Sequence, residues 1–214
     1  LIDKMIMSIN ILPFEKTYIE SVFQFATEIF VEDSTLHKAI NINLKDYQNC
    51  LRSSFIDILD EGLSFIAIDT NSKSLIGCIL LTNFEKHIYQ TKISNGLLAP
   101  ISAISSELIK QYKKGNNLIP NTGVLVDMAA VAPQYRGEGI YENMRNSANN
   151  LAGKMGFTEI FGELSSEASQ NLILTKLKHV KVAEVEFNTF KFRGSKPFIS
   201  IVNPKSIILA KGKI

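Results

Sequence analysis

The stretch VLVDMAAVAPQYRGEGI, residues 124–140, passes from an apolar run through a proline into a turn where Gly137 and Gly139 bracket Glu138. The run reads as a buried strand over residues 123–131, stopped at Pro133. Beyond it, Ile140, Met144, Ala148, Leu151 and Met155 recur at helical spacing, which predicts a long helix from about Gly137 to Met155. Glycines at a helix entry let backbone N–H groups approach a ligand closely, with the positive end of the helix dipole behind them. A pyrophosphate suits such a site. The dinucleotide fingerprint GxGxxG is absent, and so is the nucleotide-triphosphate loop that ends in Gly-Lys-Ser or Gly-Lys-Thr.

Working outward, a first strand is expected over residues 5–11. Ile19, Val22, Phe23, Ala26 and Phe30 mark a helix, and Leu44, Tyr47, Leu51, Phe55 and Ile58 mark a second. Residues 64–69 and 75–82 read as a hairpin across a Thr70–Lys73 turn. Residues 84–121 are expected to be a helical insertion, with a helix from Pro100 to Gly115, serving as a lid or a substrate-binding wall. After the central strand and helix come a strand over 158–163, a helix over 166–177, a strand over 183–187 and apolar segments at 199–202 and 207–210. This order predicts a single α/β (α+β) domain over residues 1–214, with an antiparallel front half and a parallel middle.

The composition fits that reading. The 214 residues are 45% hydrophobic and 21% charged, with a net charge of +2. No basic excess points to nucleic acid. Lys110, Lys113 and Lys114 read as a solvated helix end. Cys50 and Cys78 lie on different elements, so two packed free thiols in a reducing compartment are expected, and three histidines offer no metal-ligand spacing. With neither a membrane-spanning run nor a signal peptide visible, a cytoplasmic protein without a membrane partner is expected.

The pattern Gln134-x-x-Gly137-x-Gly139 after Val131-Ala132-Pro133, between strand and helix, resembles the acetyl-CoA signature of the GNAT superfamily. That resemblance implies a central twisted sheet with a splayed pair of parallel strands and helices on both faces. It also implies acetyl-CoA as cosubstrate. The backbones of Ala129 and Val131 would meet the pantetheine, and the loop of Gln134, Tyr135, Arg136, Gly137, Glu138, Gly139, Ile140 and Tyr141 would cradle the phosphates. Arg136 would add charge, and Tyr141 stands where the family often has a small residue. The tyrosine that many members use to protonate the leaving thiolate aligns with Leu174.

Segments 30–36 (FVEDSTL) and 164–170 (LSSEASQ), with the C-terminal tail, resemble the insect dopamine or arylalkylamine N-acetyltransferase branch. There the general base falls at Ser34 of this chain, with Glu32 and Asp33 beside it, and one serine of the branch matches Ser166. The resemblance implies acetyl transfer to a primary amine of a small molecule, an arylalkylamine or a polyamine, by a monomer or homodimer. Acetylation of a protein amine, or a non-catalytic CoA-binding sensor, are the alternatives. Asp127 is an independent candidate base, because apolar strands rarely carry an acid without a reason; a satisfied structural acid is the other reading. Glu32 and Ser166 are the other catalytic candidates, against a solvated helix end and a helix cap. His37, His87 and His179 are expected to be surface or packing residues.

Overall fold

The computed structural model describes residues 8–90, 96–116, 119 and 121–214. Seven strands form one mixed sheet in the order β1-β2-β3-β4-β5-β7-β6. They are β1 (Ile9–Pro13), β2 (Phe65–Asp69), β3 (Ser74–Asn83), β4 (Gly123–Val131), β5 (Glu159–Leu164), β6 (Val180–Glu186) and β7 (Ser206–Lys213). All neighbours are antiparallel except β4 and β5. The helices are α1 (Ile19–Asp33), α2 (Thr35–Ala39), α3 (Leu44–Asp60), α4 (Phe84–Gln90), α5 (Ala99–Gly115), α6 (Ile140–Lys154) and α7 (Glu167–Gln170), the last continued by a π-helical segment, Asn171–Lys176.

Strand alternation assigns each face its own core. On the front, Cys78, Leu80, Met128 and Ala130 pack against Val22, Phe23 and Phe55 of α1 and α3. Farther along the same face, Leu125, Phe161 and Leu209 pack beneath α4 and α5 through Phe84, Ile104, Leu108 and Tyr112. Phe84 stacks on Phe161 with centroids 3.7 Å apart. At the back, Ile140, Met144 and Ala148 of α6 lie on Ile79, Leu81 and Val124. The π-helical segment covers Leu164, Ile208 and Ala210.

Several expectations are refined. The predicted strand over residues 5–11 is shifted: β1 runs from Ile9 to Pro13, and Pro13 is tolerated because this is an edge strand; residues 5–7 lie outside the described set. Helix α6 starts at Ile140 rather than Gly137, because Gly137 and Gly139 hold left-handed φ of 86° and 75°. The helix expected over 166–177 is one α turn followed by a π-helical stretch. Residues 199–202 form no strand. Cys50 is exposed, not packed; Cys78 is buried, and both are free. Three lysines taken as a solvated helix end line a surface cavity of 420 Å³ with Ile88, Ser106 and Ile109. No helix among the described residues is long and apolar enough to cross a membrane. No cluster of potential metal ligands occurs among them.

Candidate active site

Strands β4 and β5 pair from Gly123 with Glu159 as far as Val126 with Gly162, and no farther. Beyond that point β4 continues beside β3 alone, so its other edge opens into a gap. The Ala132 N–H bonds to the Ile76 carbonyl at 2.9 Å, which fixes the alternation of the antiparallel ladder. By that alternation the polar backbone groups of Ala129 and Val131 point away from β3, into the gap. One is already engaged: the Val131 carbonyl accepts from Arg136 Nε at 3.0 Å.

Asp127 is the extra residue of a β-bulge, since Leu80 pairs with Met128 and Leu81 with Val126. A bulge re-aims a side chain and increases local twist. Here it directs an acid to the front face, between the core under α1 and α3 and the core under α4 and α5. Asp127 is open to water, yet burial is the main cause that raises its carboxyl pKa, followed by His87, which opposes, and Glu163, which adds to the rise. The carboxylate thus reaches water while protein groups, His87 and Glu163 among them, crowd round it.

Glu163 is the first residue of β5 past the last pair with β4. Its Oε1 accepts from Ser105 Oγ of α5 at 2.6 Å and lies 3.3 Å from His87 Nε2 of α4. Burial pulls the His87 pKa down, but the hydrogen bond and charge of Glu163, with Asp127 behind, outweigh it and hold the imidazole above its ordinary value. The Tyr47 phenol of α3 also feels Asp127, and burial with that charge pushes it far up. Four elements thus converge on Asp127: α3, α4, α5 and β5. Asp127 stood out in the sequence as an acid in an apolar strand. Glu163 carries the same signal, an acid alternating on an apolar strand, whereas His87 and Ser105 gave none.

The other candidates have different surroundings. Glu32 is exposed in the last turn of α1 and takes no part in this cluster. Its neighbour Asp33 pairs with the Arg136 guanidinium, so that cation is partly neutralised before any phosphate arrives. Thr35 Oγ1 donates to the Ser165 carbonyl at 2.9 Å. The link between α1 and α2 therefore ties the β4–α6 loop to the β5–α7 loop across the gap. The Ser34 hydroxyl contacts His37 Nδ1 at 2.7 Å. Ser166 caps α7 in a reciprocal capping box with Ser169.

At the far end of β4, Gln134, Arg136, Gly137 and Glu138 are exposed, and Ile140 anchors the helix start in the core. The Tyr135 side chain turns back, its hydroxyl donating to Asp69 Oδ2 at 2.9 Å. A Cβ on Gly137 would meet nothing within 4 Å. Both glycines are thus required by backbone conformation and not by crowding. The first α6 amides have no intrahelical acceptor, as an anion site requires.

No family model matches this sequence, and no curated protein does. Solved structures do. The C-terminal condensation domain of Ebony, in complex with beta-alanyl-dopamine, superposes with a TM-score of 0.83 at 16% identity, covering 98% of this chain and 100% of that one. Arylalkylamine N-acetyltransferase 2 from Aedes aegypti gives 0.74 at 17% identity, over 97% and 99%. The polyamine N-acetyltransferase of Drosophila melanogaster gives 0.74 at 13%, over 97% and 100%. The chain has the GNAT fold.

Proposed function

We propose that this protein is a thioester-dependent N-acyltransferase, using acetyl-CoA to acylate a primary amine of a small molecule. The observation that carries the reading is the position of Asp127, on a bulge at the point where β4 leaves β5. A donor held by the glycine turn would run along the open edge of β4, past Val131 and Ala129, and bring its thioester to that carboxylate. The glycine turn and the first amides of α6, with Arg136 beside them, would hold the donor phosphates.

The chemistry follows from the groups present. An amine reaching the cleft as an ammonium is attracted by Asp127 and Glu163. Asp127 takes a proton from the nitrogen, the neutral amine attacks the thioester carbonyl, and the tetrahedral intermediate expels the thiolate. The raised pKa of Asp127 makes it a stronger base than a solvated carboxylate. Glu163, fixed by Ser105, holds His87 close and favours its protonated form. Fold neighbours named for arylalkylamines and polyamines superpose with TM-scores of 0.73 to 0.74, against 0.53 for a ribosomal-protein acetyltransferase and for a peptide-bound NatC complex, which supports a small-amine acceptor over a protein one. The condensation domain was solved with a beta-alanyl amide, which supports including an aminoacyl donor in the trial.

The test is thiol release from acetyl-CoA and from beta-alanyl-CoA with tryptamine, dopamine and spermidine as acceptors. Donor binding with no thiol release for any amine would leave the sensor reading standing instead.

A further inference from the structure

Most of the surface of helix α5 is taken up by the fold. Ile104, Leu108 and Tyr112 lie on the front core, and Gln111 Oε1 accepts from the Glu184 N–H of β6 at 3.3 Å. Ser105 turns to Glu163. What remains is a stripe of Ser106, Ile109, Lys110 and Lys113, at the i, i+3, i+4 and i+7 spacing of one helix face, with Lys114 beside it. Together with Ile88 of α4, this stripe lines the surface cavity of 420 Å³.

The floor and the rim of the cavity differ in kind. Ile88 and Ile109 are 6% and 4% exposed and belong to the core beneath α4 and α5, so the floor is apolar. The three lysines on the rim are exposed. Lys110 shares its charge with Glu107 at 3.6 Å, and no carboxylate is among the described residues that line the cavity. The helix dipole favours cations in the last turn whichever way they point. It does not account for their gathering round an apolar hollow. Like charges so placed repel one another, and an anion among them relieves that repulsion.

The cavity is separate from the reaction cleft. Ser105 and His87 meet Glu163, whereas their chain neighbours Ser106 and Ile88 line the cavity. The turns of α5 carry the stripe away from the opening between β4 and β5. Ser105 lies at Glu163, past the last strand pair, while Tyr112 feels Glu159, where that pairing begins. Lys113 and Lys114 therefore stand toward the opposite end of the sheet from the glycine turn.

We propose that this cavity binds a small amphipathic carboxylate, its alkyl chain or ring on the two isoleucines and its anionic end among the lysines. A volume of 420 Å³ suits a small ligand. The apolar part gains by leaving water against Ile88 and Ile109, and each methylene so buried strengthens binding. Each ion pair at the solvated rim adds less. A bare anion is therefore held weakly, and a neutral chain loses the selection that the rim provides.

Isothermal titration of the full chain at pH 7 with octanoate, octanamide, acetate and inorganic phosphate tests the site. Octanoate should bind as a single site, about tenfold or more tighter than octanamide, which lacks the charge, and than acetate or phosphate, which lack the chain. Lys110→Gln, Lys113→Gln and Lys114→Gln combined in one protein should weaken octanoate by about tenfold and leave octanamide as it was. The corresponding Arg variant should keep octanoate binding. Both variants should melt with the parent chain, since all three side chains are exposed. Saturating CoA should not alter the octanoate affinity. Absent octanoate binding, or octanamide, acetate or phosphate binding as tightly, overturns the inference. So does octanoate binding that survives the Gln substitutions or that CoA displaces.

Discussion

Asp127 and Glu163 are each the first residue beyond the last paired residues of β4 and β5, Val126 and Gly162, so two carboxylates stand at the mouth of one opening. Their mutual repulsion contributes to raising Asp127, and the His87 cation between α4 and β5 offsets part of it. The two acids are held differently. Glu163 accepts from Ser105 and meets His87, whereas Asp127 sits on a bulge open to the cleft. Glu163 is thereby fixed in place, and under the proposed function Asp127 is the one that exchanges a proton.

Asp127→Asn keeps the shape of the bulge and removes the base. It should lower kcat/KM for the amine by about 100-fold or more, with donor affinity unchanged. Steady-state kinetics and a donor titration on the same protein check this. A variant that retains most of its turnover would return Asp127 to the role of a structural acid.

Activity should rise with pH through a limb that lies above the ordinary carboxylate range, because Asp127 must be ionised to act and burial raises it. His87 lowers Asp127 through its charge, so His87→Gln should move that limb to higher pH. The pH profile of kcat/KM for both proteins decides it. An unmoved limb would show that the imidazole and the base do not share a field.

The architecture is legible in sequence wherever a period or a cap encodes it. Strand β4 was bounded to the residue by its apolar run between Gly123 and Pro133, and α3 and α5 by their stripes. The reach of Asp127 was legible only in part. An acid in an apolar strand announces a reason, but the bulge that turns it to the front depends on β3 in register. His87 and Ser105 stayed silent because α4 and α5 carry them to Glu163 across long separations, which no local pattern records. The π-helical segment was hidden as well, since its residues keep helical propensity and no local pattern marks the wider turn, which packs on Leu164 and Ile208. The Arg136 cation read as a phosphate ligand, yet Asp33 lies 103 residues away and claims it in the fold.

Stability should fall on the acid side through His37. This ring is 7% exposed between Phe30 and Tyr47, and burial lowers it to about 4. The unfolded chain takes up a proton near pH 6.5 that the folded one refuses until about 4, so the stabilisation is full above 6.5 and is lost as pH falls through that interval. A shift of that size is worth about 3 kcal/mol. His179, lowered to about 4 by burial and Arg145, acts in the same direction. Urea unfolding at pH 7 and pH 5 should show the loss, and His37→Gln should flatten the dependence. A slope unchanged by that substitution would mean that other groups set the acid limit.

Gly212→Ala tests the contact between His179 and the buried Arg145 of α6, whose Nη1 donates to the Tyr141 hydroxyl at 2.8 Å. A Cβ at Gly212 would stand 2.2 to 2.6 Å from three ring atoms of His179, far inside contact distance. The ring must move, and the Arg145 Nη2 contact at 3.2 Å goes with it. The buried guanidinium would then keep only the Tyr141 hydroxyl, which costs about 1 to 3 kcal/mol. For a chain of this size that is a Tm lower by about 3 to 10 °C. Gly153→Ala is the control, since its Cβ meets only a methyl of Ile214 at 3.3 Å. Equal melting of the two variants would show that His179 swings aside at no cost and that the guanidinium gains nothing from its ring.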